Sequence, residues 1–172
     1  MGDNIVTIFG TGRAKVGDSA FELAYELGRE LGRAGFTIAN GGYGGTMLAA
    51  AKGEAEAGGE VIGVTCSAFK GKANEYVSRE IVTASLNERL NKLVELGRAY
   101  IVLPGGTGTL LELAMVWELK NKGFLGGEKP IILLGDFWRP LISIVAADDF
   151  ASSRSVEQVD GAKQAVQLLI DY

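Results

Sequence analysis

The chain has 172 residues, is 47% hydrophobic and 22% charged, and carries a net charge of −4 with no histidine. Without histidine, a Cys–His nucleophile, a histidine zinc site and a Ser-His-Asp triad are excluded, which leaves acid–base work to carboxylates, lysine, tyrosine or water. No basic block marks a nucleic-acid binder, no apolar run approaches the roughly 20 residues of a membrane span, and the lone Cys66 permits no internal disulfide and suits a reducing cytoplasm.

"MGDN" opens with Met1-Gly2, yet Val6 stands where a myristoylation signal needs Ser or Thr. No charged-then-apolar leader pattern follows. Ile5–Gly10, "IVTIFG", reads as a strand. Asp18–Ala34 has Phe21, Leu23, Ala24, Leu27 and Leu31 near helical spacing and ends at Gly35. "FTIA" is a second strand, "GGYGG" a loop, and Thr46–Ala57 an alanine-rich helix closed by Gly58-Gly59. "EVIGVT" is a third strand, and it leads to Cys66, a small residue suited to burial. Residues 67–80 are irregular and polar; Lys70 and Lys72 lie there, as a solvated loop or as a flap over a ligand. "EIVTA" is a fourth strand.

Ser85 and Glu88 form a capping box that starts a helix ending at Leu96, before Gly97. Leu86, Leu90, Leu93 and Val94 make its apolar face. "AYIVL" is a fifth strand, Thr109–Lys122 a helix, and "PIILLG" a sixth strand. Phe137–Ala147 reads as helical, with Pro140 in a first turn. "SVEQV" is a last short strand and Ala162–Ile170 a closing helix. Met115 and Trp117 supply apolar bulk that either the core or an interface between copies would use.

Strands alternating with helices predict an α/β fold: a Rossmann-like parallel sheet with helices on both faces, in a single domain spanning 1–172. Ligands of such sheets bind beyond the carboxyl ends of the strands. Glycine-rich segments stand at three of those ends: "GTGR" after the first strand, "NGGYGG" after the second and "PGGTGT" after the fifth. A helix start offers unpartnered N–H groups and a positive dipole, and glycine lets an anion come close. Gly105, Gly106, Thr107, Gly108 and Thr109 are therefore candidates to hold a phosphate. Gly10, Thr11, Gly12, Gly42 and Gly45 are candidates from the other two loops. Tight βα turns alone would also use these glycines. No Gly-Lys-Ser/Thr is present, and Lys15 and Asn40 stand where the dinucleotide fingerprint needs a glycine and an acid. A mononucleotide held by glycine backbone remains.

"PGGTGTLLE" resembles the PGGxGTxxE motif of the Lonely Guy family of cytokinin-activating phosphoribohydrolases, relatives of the molybdenum-cofactor carrier proteins and of chains labelled lysine decarboxylase-like. "GGYGGTM" is similar to the upstream GGxxGxM loop, and "FGTGR" takes the place of the first phosphate-side loop. The likeness runs from about Ile5 to about Leu134. It implies a Rossmann-like homodimer that cleaves the N-glycosidic bond of an adenosine monophosphate, giving free base and ribose 5-phosphate. It implies Glu112 and Arg89 as the catalytic pair, an AMP-like nucleotide as the partner, and neither metal nor cofactor. Leu90 replaces the family's Lys and Leu86 its Met, a departure that favours the alternative of a carrier without turnover. The decarboxylase chemistry is set aside, because nothing singles out a cofactor-bearing lysine. From the residues alone, Thr109 and Glu112 also fit a capping box, and Arg89 also fits a solvated helix surface.

Overall fold

The computed structural model describes residues 4–172, so the Met1-Gly2 pair lies outside the described residues. The elements are β1 (Ile5–Phe9), α1 (Ser19–Arg33), β2 (Thr37–Asn40), α2 (Thr46–Glu56), β3 (Val61–Cys66), β4 (Arg79–Thr83), α3 (Leu86–Leu96), β5 (Ala99–Val102), α4 (Thr107–Asn121), β6 (Ile131–Leu134), α5 (Arg139–Asp148), α6 (Phe150–Ser153), β7 (Glu157–Val159) and α7 (Ala162–Asp171). The strands pair in parallel, in the order β4-β3-β2-β1-β5-β6-β7. This is the doubly wound α/β arrangement expected from the alternation of apolar runs.

Every residue of β1, β3, β5 and β6 is buried. That explains why these strands read as continuous apolar runs: both of their faces are covered. In β1, Val6 and Ile8 enter a core shared with α1, α2 and α7, while Ile5 and Phe9 enter the core under α3 and α4. Alternate residues of one strand thus supply two layers. On the first face, α1 and α2 approach backbone to backbone. A Cβ at Gly28 would fall on the Ala50 carbonyl, and one at Gly53 on the Tyr25 carbonyl.

The Ser85–Glu88 box forms: Glu88 N–H donates to Ser85 Oγ at 3.2 Å, and Glu88 Oε2 accepts from Ala84 N–H at 2.8 Å. Other expectations need correction. Helix α4 begins at Thr107, with Gly106 as its N-cap, so Thr109 is not a cap and Glu112 lies in the second turn. Leu86, placed on the apolar face of α3, is the first residue of the helix and is 45% exposed, whereas Leu90, Leu93 and Val94 are buried. Trp117 belongs to the core, where its Nε1–H donates to the Ser152 carbonyl at 2.9 Å. The short α6 that carries Ser152 has too few residues to show a period. No helix among the described residues is long and apolar enough to cross a membrane.

Because the sheet is parallel, the loops after β1, β2, β3 and β5 emerge along one edge. β1 and β5 are neighbours, yet β1 leads to α1 on one face and β5 to α4 on the other. A crevice opens where the winding reverses.

Candidate active site

A cavity of about 760 Å³ occupies that edge. Its floor is Gly10, Thr11, Gly12 and Arg13 from the loop after β1, and Gly106, Thr107, Gly108 and Thr109 from the start of α4. Its side is Tyr43, Met47, Phe69, Arg89 and Glu112. A space of this size suits a nucleotide better than a bare phosphate.

The start of α4 is open. Gly106, Thr107 and Gly108 are exposed, and no side chain caps the helix. Among the described residues no acceptor is found for the Gly106, Thr107 and Gly108 N–H groups. These amides, at the positive end of a 15-residue helix, face the cavity. Thr109 is buried at 2% exposure and packs on Gly105, where a Cβ would fall on the Thr109 hydroxyl. Gly105 therefore shapes the turn and does not line the cavity.

Gly42 and Gly45 also lie behind the cavity wall. Gly42 N–H donates to Asn40 Oδ1 at 2.8 Å, and the Gly42 carbonyl accepts from Asn74 N–H at 2.8 Å. Gly45 caps α2 with a φ of 66°, a left-handed conformation that glycine adopts freely. Next to it, Thr46 N–H and Oγ1 both donate to the Thr11 carbonyl, at 2.8 and 3.0 Å. The second glycine loop thus braces the first.

Arg89 sits on α3 and is only 8% exposed. Its Nε–H donates to the Val64 carbonyl at 2.8 Å. Its guanidinium carbon lies 5.6 Å from the Tyr43 ring centre and 5.7 Å from that of Phe69, within cation–π range. The solvated reading of Arg89 is thereby overturned: the apolar stripe of α3 carries it inward. Its Nη1 stands 3.9 Å from Glu112 Oε1, with the two side chains 10% and 14% exposed. Burial pushes the Glu112 carboxyl up to about 7, against the downward pull of Arg89. The pair is an ion contact too long to be a hydrogen bond. It leaves a carboxylate poised near neutrality, as acid–base or charge-stabilising chemistry requires.

The structure therefore brings Gly10, Thr11, Gly12, Gly106, Thr107, Gly108, Thr109, Arg89 and Glu112 around one space, and sets Gly42, Gly45 and Gly105 behind it. Sequence reasoning passed over Arg13, Tyr43, Met47 and Phe69. Arg13, Tyr43 and Met47 stand among the very glycines that were singled out. Phe69 lies in the irregular segment, where no spacing gives a signal.

The family model described as "Possible lysine decarboxylase" matches residues 47–171. The chain belongs to this family. It is 32% identical over 146 residues to a cytokinin riboside 5′-monophosphate phosphoribohydrolase of Rhodococcoides fascians, covering 81% of this chain and 73% of that one. It is 36% identical over 121 residues to a protein of the same description from Mycobacterium tuberculosis, covering 68% and 63%. Among solved structures it resembles a molybdenum cofactor binding protein from Rippkaea orientalis, with a TM-score of 0.82, 27% identity and coverage of 99% and 98%. The motif resemblance is thus matched over most of the chain. The matched span 47–171 includes Arg89, the start of α4 and Glu112.

Proposed function

We propose that the chain is a nucleoside 5′-monophosphate phosphoribohydrolase, which releases the free base and ribose 5-phosphate. One observation carries the reading: Arg89 and Glu112 face the same cavity as the unpartnered amides that open α4. The phosphate rests on those amides, with Thr107 adding a hydroxyl. Breaking the C1′–N9 bond leaves its electron pair on the base and positive charge on the sugar. Ionised Glu112 stabilises that charge and orients the water whose oxygen bonds C1′. Glu112 takes one proton from that water and passes it to the departing base, while the other stays on the new C1′ hydroxyl. Arg89, fixed by the Val64 carbonyl, orients the sugar and keeps Glu112 ionised near neutral pH. Binding energy at the phosphate serves to position the reacting bond.

Incubation with adenosine monophosphate and base-substituted analogues tests this. Free base accumulates with the wild type, and Glu112→Gln abolishes it. A molecule that releases no base, or a Glu112→Gln variant that releases it unchanged, refutes the reading.

A second reading is favoured by Leu90, which is buried at 8% exposure where the family motif has a lysine. On that reading the protein carries a nucleotide or a larger phosphate-bearing cofactor without turnover, as the Rippkaea orientalis protein's description suggests for that molecule. It predicts saturable binding, a raised melting temperature with millimolar adenosine monophosphate, and no base released. On either reading we place the protein in the cytoplasm as a homodimer, an association supported by exposed Leu110 and Leu111 beside the site.

A further inference from the structure

The cavity wall changes character across the sheet. Thr11, Arg13 and Thr107 come from the loops after β1 and β5, whereas Tyr43, Met47 and Phe69 follow β2 and β3. The strands run in the order β3-β2-β1-β5. Two strand spacings, about 10 Å, therefore separate the loop bearing Phe69 from the loop after β1. Arg89, held on the β3 carbonyl of Val64, stands between the polar and aromatic ends with Glu112.

Phe69 is 40% exposed, although it lines this cavity. Its N–H donates to the Cys66 carbonyl at 3.0 Å, which fixes its backbone to the end of β3. Farther along the segment, Asn74 Nδ2 donates to the Gly42 and Tyr43 carbonyls at 3.1 and 2.9 Å. Tyr43 backs the Phe69 ring, with centres 6.2 Å apart and planes at 46°. Tyr43 cannot swing away: its hydroxyl donates to the Cys66 carbonyl at 3.2 Å and accepts from Cys66 N–H at 2.8 Å. That hydroxyl is committed to backbone, so Tyr43, Phe69 and Met47 give this end of the cavity π faces and a thioether, with the Arg89 guanidinium within cation–π range of both rings. Such a wall reads the flat face of a ring and is tolerant of what is attached to its edge.

We propose that Phe69, backed by Tyr43, is the specificity-determining residue of the site, taking the planar heteroaromatic ring of the ligand by stacking while its anionic end lies on the amides of α4. This rests on the reading of the cavity as a nucleotide site. The ring end and the anion end are separable, because they come from different loops.

Dissociation constants of wild type, Phe69→Ala and Phe69→Trp for adenosine monophosphate and for ribose 5-phosphate test it. Phe69→Ala weakens adenosine monophosphate roughly tenfold or more and leaves ribose 5-phosphate within twofold, while Phe69→Trp keeps the nucleotide affinity. Melting temperatures stay close to wild type, since Phe69 is a surface residue. Unchanged adenosine monophosphate affinity in Phe69→Ala overturns the role of Phe69 and leaves the phosphate site standing. Equal weakening of both ligands also overturns it, by making Phe69 a loop support. Failure of the wild type to bind either ligand removes the nucleotide reading itself.

Discussion

Arg89 gives its Nε–H to the Val64 carbonyl at 2.8 Å and leaves Glu112, 3.9 Å from its Nη1, with a charge partner but no hydrogen bond from it. The cation is anchored by backbone and the carboxylate is not tied down by the cation. Glu112 is thus buried enough to be raised to about 7, and unbonded enough to engage a substrate.

If the ionised form of Glu112 does the work, base release rises with pH and levels off above about 7, falling roughly tenfold per pH unit on the acid side. A pH–rate profile checks this. A flat profile between pH 5.5 and 8 would show that Glu112 does not titrate in the reacting enzyme.

Removing Arg89 leaves the buried carboxyl without its counter-charge. In Arg89→Met the Glu112 midpoint moves above 7, because the one influence that lowers it is gone while burial remains. Breaking a buried pair costs about 3–5 kcal/mol when the survivor stays charged. Glu112 avoids part of that by taking a proton. The variant therefore melts closer to wild type at pH 6 than at pH 8.5. Carboxyl NMR titration together with melts at the two pH values checks both halves.

Much of this site was legible in the chain. The turn glycines of "PGGTGT" mark a strand-to-helix junction, a local signal, whereas Glu112 stands out only through the motif resemblance, since its residues alone fit a capping box equally well. Burial of Arg89 was not legible. A charged residue beside Glu88 looks solvated until β3 offers the Val64 carbonyl and the segment 67–78 folds Phe69 across it. The expected Thr109–Glu112 box failed for a related reason: Gly106 lets α4 start two residues earlier, which moves Glu112 out of the first turn. The fold came through more fully than the site, since both-face burial writes itself into continuous runs such as "IILL". Gly42, Gly45 and Gly105 show the limit: sequence marks a glycine as special without telling a cradle from a brace.

Gly41 holds the room that Arg89 occupies. A Cβ there would fall on the Arg89 guanidinium and crowd Met47 Sδ. The guanidinium end is the flexible part, so Gly41→Ala keeps the fold and displaces Arg89 from Glu112. Base release falls at least tenfold (about 1.4 kcal/mol) while ribose 5-phosphate affinity changes little. Full activity in a well-folded Gly41→Ala protein would mean that the position of Arg89 is immaterial.

Glu54 provides a test of stability away from the site. It lies on α2 with no exposed surface, and neither carboxyl oxygen finds a hydrogen-bond partner among the described residues. Burial raises it to about 8. The unfolded chain releases this proton near 4.5, so between about 4.5 and 8 the folded state binds a proton that the unfolded state does not. Stability contributed by the neutral acid is whole below 4.5 and declines as pH rises to about 8, by something on the order of 5 kcal/mol. Glu112 adds a decline of the same sign that ends near 7. The interval from pH 7 to 8.5 therefore isolates Glu54. Glu54→Met keeps the side-chain length and discards the acid, so the wild-type melting temperature drops across that interval and the variant's stays level. Each kcal/mol corresponds to about 2–4 °C in a chain of this size. Parallel curves for the two proteins from pH 7 to 8.5 would mean that the Glu54 carboxyl reaches water in the folded state.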